Sequence, residues 1–260
     1  MDKSMKSLIT LLAFCLTGSI WASSGFNFFH ELEHTFHVPA HSISLFVATI
    51  VFLVLGIAYR SKLSNVQNTV IPDSGISLRN IIEFLGQMIM NSARSVMGEE
   101  SAKRYYSYII FVFTFILITN VMGLIPGSST PNENLNTTLA LGLFTFIYFN
   151  IQGIRAVGFI NYMKHFMGPL LPLAPLIFCI EIISICIRPV SLAFRLRGNM
   201  SGDHLVLGIF SDLVPYIVPI PFYAMGLFVS FLQAFVFTIL AMIYISMATA
   251  HHDHGDHGHH

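Results

Sequence analysis

Between residues 170 and 210 an otherwise apolar stretch carries Glu181, Arg188, Arg195, Arg197, Asn199, Asp203 and His204. Carboxylates and imidazoles exchange protons near neutral pH, whereas a guanidinium stays charged. A charge at the centre of a membrane helix costs about 2.5–3.5 kcal/mol on insertion scales, so such a set must face protein or water. At 100° per residue, Arg188, Arg195, Asn199 and Asp203 lie about −20°, −40°, 0° and +40° from Glu181. These five residues form one polar stripe, and Arg197 and His204 project to the opposite side. Pro189 perturbs that phase by an unknown amount. A stripe of this kind reads either as interhelical ion pairs or as an ion or proton pathway, and intramembrane ionisable residues favour the second. Arg197 also reads as a side chain snorkelling to an interface.

The elements that must position this stripe are membrane helices. The chain has 260 residues, 54% hydrophobic and 10% charged, against roughly 25% charged in soluble domains. Apolar runs at 43–59, 105–125, 139–154, 170–210 and 222–247 are long enough, or nearly so, to cross the bilayer as helices. Arg60, Lys62, Arg79, Arg94, Lys103, Arg104, Arg155 and Lys164 fall on one side of this layout. The opposite segments 25–42, 126–138 and 212–221 hold no Lys or Arg. That asymmetry puts the mature N-terminus outside and the C-terminus inside. Leu78, Ile81, Ile82, Leu85, Met88 and Ile89 recur at helical spacing and predict an amphipathic helix, lying on the inner surface or against a partner. The expected fold class is all-α: a polytopic membrane protein of about five membrane helices, the last two long and tilted, plus that amphipathic helix.

Residues 1–24 read as a signal peptide, with Lys3 and Lys6, an apolar core and small residues at 22–24; an uncleaved anchor is the alternative. Residues 25–250 form a single integral-membrane domain, and 251–260 a His-rich cytoplasmic tail. Zero formal net charge points to no nucleic-acid partner. Cys15, Cys179 and Cys186 lack paired spacing and read as small buried hydrophobes. His30, His34, His37 and His41 precede the first span. The His30–His34 spacing could hold zinc, but a polar interfacial segment is the expected reading, and no metal site is assigned.

Arg188, Pro189, Val190, Ser191 and Leu192, then Arg195, then Gly198 and Asn199, together resemble the signature of subunit a of F-type ATP synthases. Asn120 to Pro126 followed by Asn136 to Leu141 is similar to the family's second and third membrane helices, and the run from Leu232 through Gln233 to its last helix. The likeness covers about residues 40–250. It implies a stator in the bacterial inner membrane beside a ring of c subunits, held with b-type subunits. Two offset aqueous half-channels would couple proton flow to ring rotation. It implies no cofactor and no catalytic site in this chain, and no Walker motif is present. By the resemblance, Arg195 takes the essential-arginine role between the half-channels and Gln233 helps to position it. Asn199 and Asn120 line the channels, Glu181 joins the proton path, and His204 serves as an outer relay.

Two departures stand out. Gly226 occupies a position where some relatives carry a partner for residue 204, and Asp203 is a candidate substitute. Arg197 stands where the residue is usually uncharged, yet both helical phase and motif choose Arg195. Two other classes are weighed. A secondary ion transporter usually shows repeated halves with broken helices, and none is visible. A membrane anchor of a redox complex needs paired intramembrane histidines for haem, and only His204 is intramembrane.

Overall fold

The computed structural model describes residues 38–63, 77–125, 128, 130–160, 162, 174–213 and 219–249. The expected signal segment, His30, His34, His37, Lys164 and the tail lie outside them. Among the described residues the regular structure is helical. In chain order it comprises α1 (Ala40–Leu63), α2 (Leu78–Met97), α3 (Glu99–Met122), a 3-10 turn (Pro131–Glu133), α4 (Leu135–Val157), α5 (Ala174–Leu213) and α6 (Pro219–Thr249). All of these except α2 and the turn contain a stretch long and apolar enough to cross a membrane. The expected five spans are therefore present.

Their ends differ from the apolar runs for local reasons. Helix α3 starts at Glu99, ahead of the apolar run, because Glu99 and Glu100 suit the positive end of a helix. Lys103 also reaches back to Glu99 at 2.9 Å. It stops at Met122, where the N–H groups of Gly123, Leu124 and Ile125 each bond three residues back rather than four. Helix α5 runs unbroken for 40 residues with Pro189 inside it. At 1.5 Å per residue that is about 60 Å, and the 31 residues of α6 span about 46 Å. Both exceed a hydrocarbon core of about 30 Å, so each must tilt or run on into the interface. Proline is tolerated in a first turn, which is where Pro175 and Pro219 stand.

Helix α2 is capped by Ser77, whose hydroxyl accepts from Arg79 N–H at 3.4 Å. It ends at Gly98, whose φ of +79° lets α3 begin at the next residue. Its apolar face does not lie only on a membrane or a partner. Ile89, Ala93 and Met97 are buried within the chain, and the Tyr106 hydroxyl of α3 donates to Gly86 O at 3.2 Å.

The chain forms two compact units. One comprises Met1–Ala58, Thr114–Thr138 and Arg195–Ala234. Ala48 and Met122 pack together in it with Ala40, Ile43 and Val47 around them, and Leu196, Met200 and Ala234 are buried. The other comprises Tyr59–Phe113, Leu139–Phe194 and Phe235–His260. Its interior holds Ile109, Phe113, Phe237, Met242 and Ile245. Tyr108 and Tyr148 stack there at 3.6 Å, and α4 meets α5 at Gly142, where an added Cβ would stand 2.6 Å from Pro189 O.

The cysteine expectation is corrected: Cys179 and Cys186 are exposed. Apolar character in a membrane helix does not imply burial, because lipid solvates it as well as protein does. Phe46, Leu53, Val54 and Ile57 on α1 are exposed for the same reason.

Candidate functional site

Helix α5 supplies most of the polar groups singled out above. In the unit containing Tyr59–Phe113, Arg188 approaches Glu181 to 4.0 Å. Its guanidinium lies 5.0 Å from the Tyr244 ring centre, a cation–π arrangement. The seven-residue spacing places both on one face, as the stripe requires.

In the unit containing Arg195–Ala234, the remaining residues divide into three environments. Arg195 is exposed, and among the described residues it has no hydrogen bond or ion pair. Asn199, one turn on, donates from Nδ2 to Gln233 Oε1 of α6 at 2.6 Å. The structure thus brings Gln233 to Asn199, not to Arg195. Gln233 is buried, and its Nε2 has no partner among the described residues.

Arg197 and His204 face the other way, and both meet the turn after α3. Arg197 Nε donates to Glu133 O at 3.2 Å. His204 Nε2 lies 3.1 Å from Gly123 O and 3.2 Å from Thr130 Oγ1. His204 Nδ1 lies 3.5 Å from Glu133 Oε2. The partner of His204 is therefore Glu133, and no hydrogen bond joins Asp203 to it. Adjacent helical residues point about 100° apart, which separates Asp203 from its neighbour. Asp203 Oδ2 is shielded and without a partner among the described residues. At position 226 the Leu124 side chain takes the adjoining space, its Cδ2 2.6 Å from where a Cβ would stand, so a larger group there would have to displace it.

Asn120 is fully buried and holds this turn in place. Its Oδ1 accepts from Asn132 Nδ2 at 2.8 Å, and its own Nδ2 donates to Ser230 O at 3.2 Å. Asn132 also donates to Thr119 Oγ1 at 2.7 Å. Both amide hydrogens of Asn132 are used, so the turn is clasped to α3 inside the protein. Asn132→Ala removes the donor to two buried oxygens and should destabilise the protein by about 2–3 kcal/mol. A lowered thermal midpoint in detergent would show it.

The Glu133 carboxyl is held below the usual carboxylate range, chiefly by its hydrogen bond with His204, then by the charges of His204 and Arg197, against the opposing effect of burial. A depressed carboxyl stabilises the fold above its ordinary range and loses that contribution as pH falls through the lowered value. The carboxylate's own contribution to the contact of the turn with α5 should therefore be present at neutral pH and be lost in acid.

Glu133, Asn132 and Thr130 escaped the sequence reading. The run of amides and one acid from Asn132 to Asn136, in a segment free of Lys and Arg, was the available signal.

A family profile described as ATP synthase A chain matches residues 41–246. ATP synthase subunit a of Bdellovibrio bacteriovorus is 47% identical over 229 residues, covering 88% of this chain and 99% of that protein. The proteins of the same name from Trichlorobacter lovleyi and Nitratiruptor are 42% and 39% identical, covering 85% and 88% of this chain and 94% and 97% of theirs. With a motif-bearing α5 inside a match that spans most of its length, the chain belongs to the ATP synthase A chain family.

Proposed function

We propose that this chain is subunit a of a proton-translocating F-type ATP synthase, the stator beside a rotating ring of c subunits in the bacterial inner membrane. Arg195 carries the reading. An exposed guanidinium within an apolar span, with no partner among the described residues of its own chain, calls for an opposite charge from another one. A carboxylate on each ring subunit is that charge. The guanidinium attracts the ionised carboxylate and favours its release of a proton. It cannot pass a proton on, so it blocks a direct leak between two offset half-channels. Water near the pair keeps the attraction weak enough for the ring to move.

The other residues divide the path. Glu181 and Arg188 belong to the inner half-channel, and His204 and Asp203 to the outer one. Asn199 and Gln233 form the polar contact beside the arginine, and Asn120 supports the outer channel wall. The chain itself does no nucleotide chemistry; b-type subunits anchor it, its mature N-terminus is periplasmic and its C-terminus cytoplasmic.

Gly198 and Gly202 are open, with nothing within 4 Å of an added Cβ. Gly202 is seven residues from Arg195 and shares its face, so a neighbouring helix can approach closely there. With Cys15, Cys179 and Cys186 replaced by Ser, Gly202→Cys in the full complex should form a disulfide with a cysteine midway along a ring subunit's outer helix. ATP-driven pumping should stop on oxidation and return on reduction. Absence of any adduct across a scan of ring positions, in an active complex, would refute the placement.

A further inference from the structure

We infer that Glu133, on the turn between α3 and α4 in the Lys- and Arg-free segment 126–138, is the proton-exchanging partner of His204. The inference rests on the stator reading above and deepens it.

The imidazole is held so that its two nitrogens differ. Nε2 lies 3.1 Å from Gly123 O. A carbonyl oxygen only accepts, so Nε2 must carry a hydrogen. Nδ1 lies 3.5 Å from Glu133 Oε2, which is longer than a strong hydrogen bond and close enough for direct proton exchange after a small approach. One proton is therefore shared along this edge. It sits on Nδ1, giving imidazolium and carboxylate, or on Glu133, giving neutral imidazole and carboxylic acid. The Nε2 hydrogen stays fixed in both forms, so exchange is confined to the Nδ1 side.

The surroundings fit a port. The Glu133 side chain is 48% exposed and that of His204 24%, so the carboxylate is the outer member of the pair. Asn132, the residue before it, is buried and clasped to Thr119 and Asn120. Arg197 holds the backbone carbonyl of Glu133 itself. The turn is fixed from both sides while its carboxylate stays accessible. Arg197 and Asp203 of α5 are the other charged groups acting on the pair, and His41 of α1 contacts the residue after Glu133, its Nδ1 3.2 Å from Asn134 Nδ2. Gly226 offers no competing group, and Leu124 fills the space beside it.

Glu133→Gln keeps the shape of the side chain and the backbone carbonyl that Arg197 uses, and removes only the charge. Proton flow is measured through the membrane sector of the full complex in vesicles, with the pH varied on the Lys- and Arg-free side alone. The pH midpoint of flow should move toward acid by about one unit, because the protonated imidazole loses its counter-charge. Glu133→Asp should retain most of the original profile. In a His204→Gln background Glu133→Gln should add no further shift, since the two act as one unit. An unchanged profile in Glu133→Gln overturns the proposal. So does an equal loss of flow at every pH in an assembled complex, which would mark Glu133 as structural. Arg195→Ala runs in parallel. If that variant keeps coupled flow, the stator reading itself fails; if it is inactive while Glu133→Gln behaves as the parent, only the present proposal fails.

Discussion

Arg195→Ala should lower both ATP-driven proton pumping and gradient-driven ATP synthesis by about a hundredfold or more, the scale on which a preorganised charge acts. The guanidinium has no intramolecular partner to lose among the described residues, so the fold should survive. Chain level in the membrane and thermal midpoint should match the parent. That combination, an intact protein with coupling abolished, distinguishes a functional charge from a structural one. Arg195→Lys should recover little, because an ammonium is more strongly hydrated and lacks the planar fork that meets a carboxylate. Arg197→Ala should be milder. It loses one hydrogen bond to Glu133 O, worth about 1 kcal/mol, and the Asn132 clasp still holds the turn. Full coupled activity in Arg195→Ala would refute the role.

Gly142→Val should have the opposite signature, loss of the protein itself. A Cβ at 142 would lie 2.6 Å from Pro189 O and 3.3 Å from Pro189 C. Both are backbone atoms of α5 and cannot rotate away as a side chain would. The two helices would have to part, forfeiting close-packed contact along their interface. Overpacking of this kind costs about 1–3 kcal/mol or more, and here the whole displacement falls on helices. Gly142→Val should be degraded in membranes or extracted only as unstable material, and Gly142→Ala should show a partial defect. A Gly142→Val chain with normal level and thermal midpoint would show that the α4–α5 approach is looser than described. Gly56, with nothing within 4 Å of its added Cβ, is the control: Gly56→Ala should be neutral or slightly stabilising, since alanine favours the helix.

Much of this was legible in the residues alone. The spans follow from apolar run length, because an isolated backbone in hydrocarbon must satisfy its own hydrogen bonds. Within the part of α5 from Arg195 onward, the separation of Asn199 from Arg197 and His204 follows from 100° per residue. Arg197 and His204 meet the same turn, as side chains seven apart should. What misled was the rule, drawn from water, that apolar means buried: Cys179 and Cys186 are exposed because the solvent of α5 is itself apolar or another chain. Pairing was the other blind spot. The hydrogen bond of Gln233 with Asn199 was not foreseen, and Asp203 was weighed for His204, which faces Glu133.

The amino-acid sequence determined the class, the spans and the placing of one arginine in an apolar helix, because these depend on composition and on a helical period that each segment carries within itself. Only the tertiary structure decided that this arginine points outward without a partner among the described residues, and that the imidazole nine residues later is held by a carboxylate from a distant turn. Those outcomes rest on which atoms of remote segments come within about 3 Å, on the two amide hydrogens of Asn132 and on a glycine at 226. No local spacing encodes them.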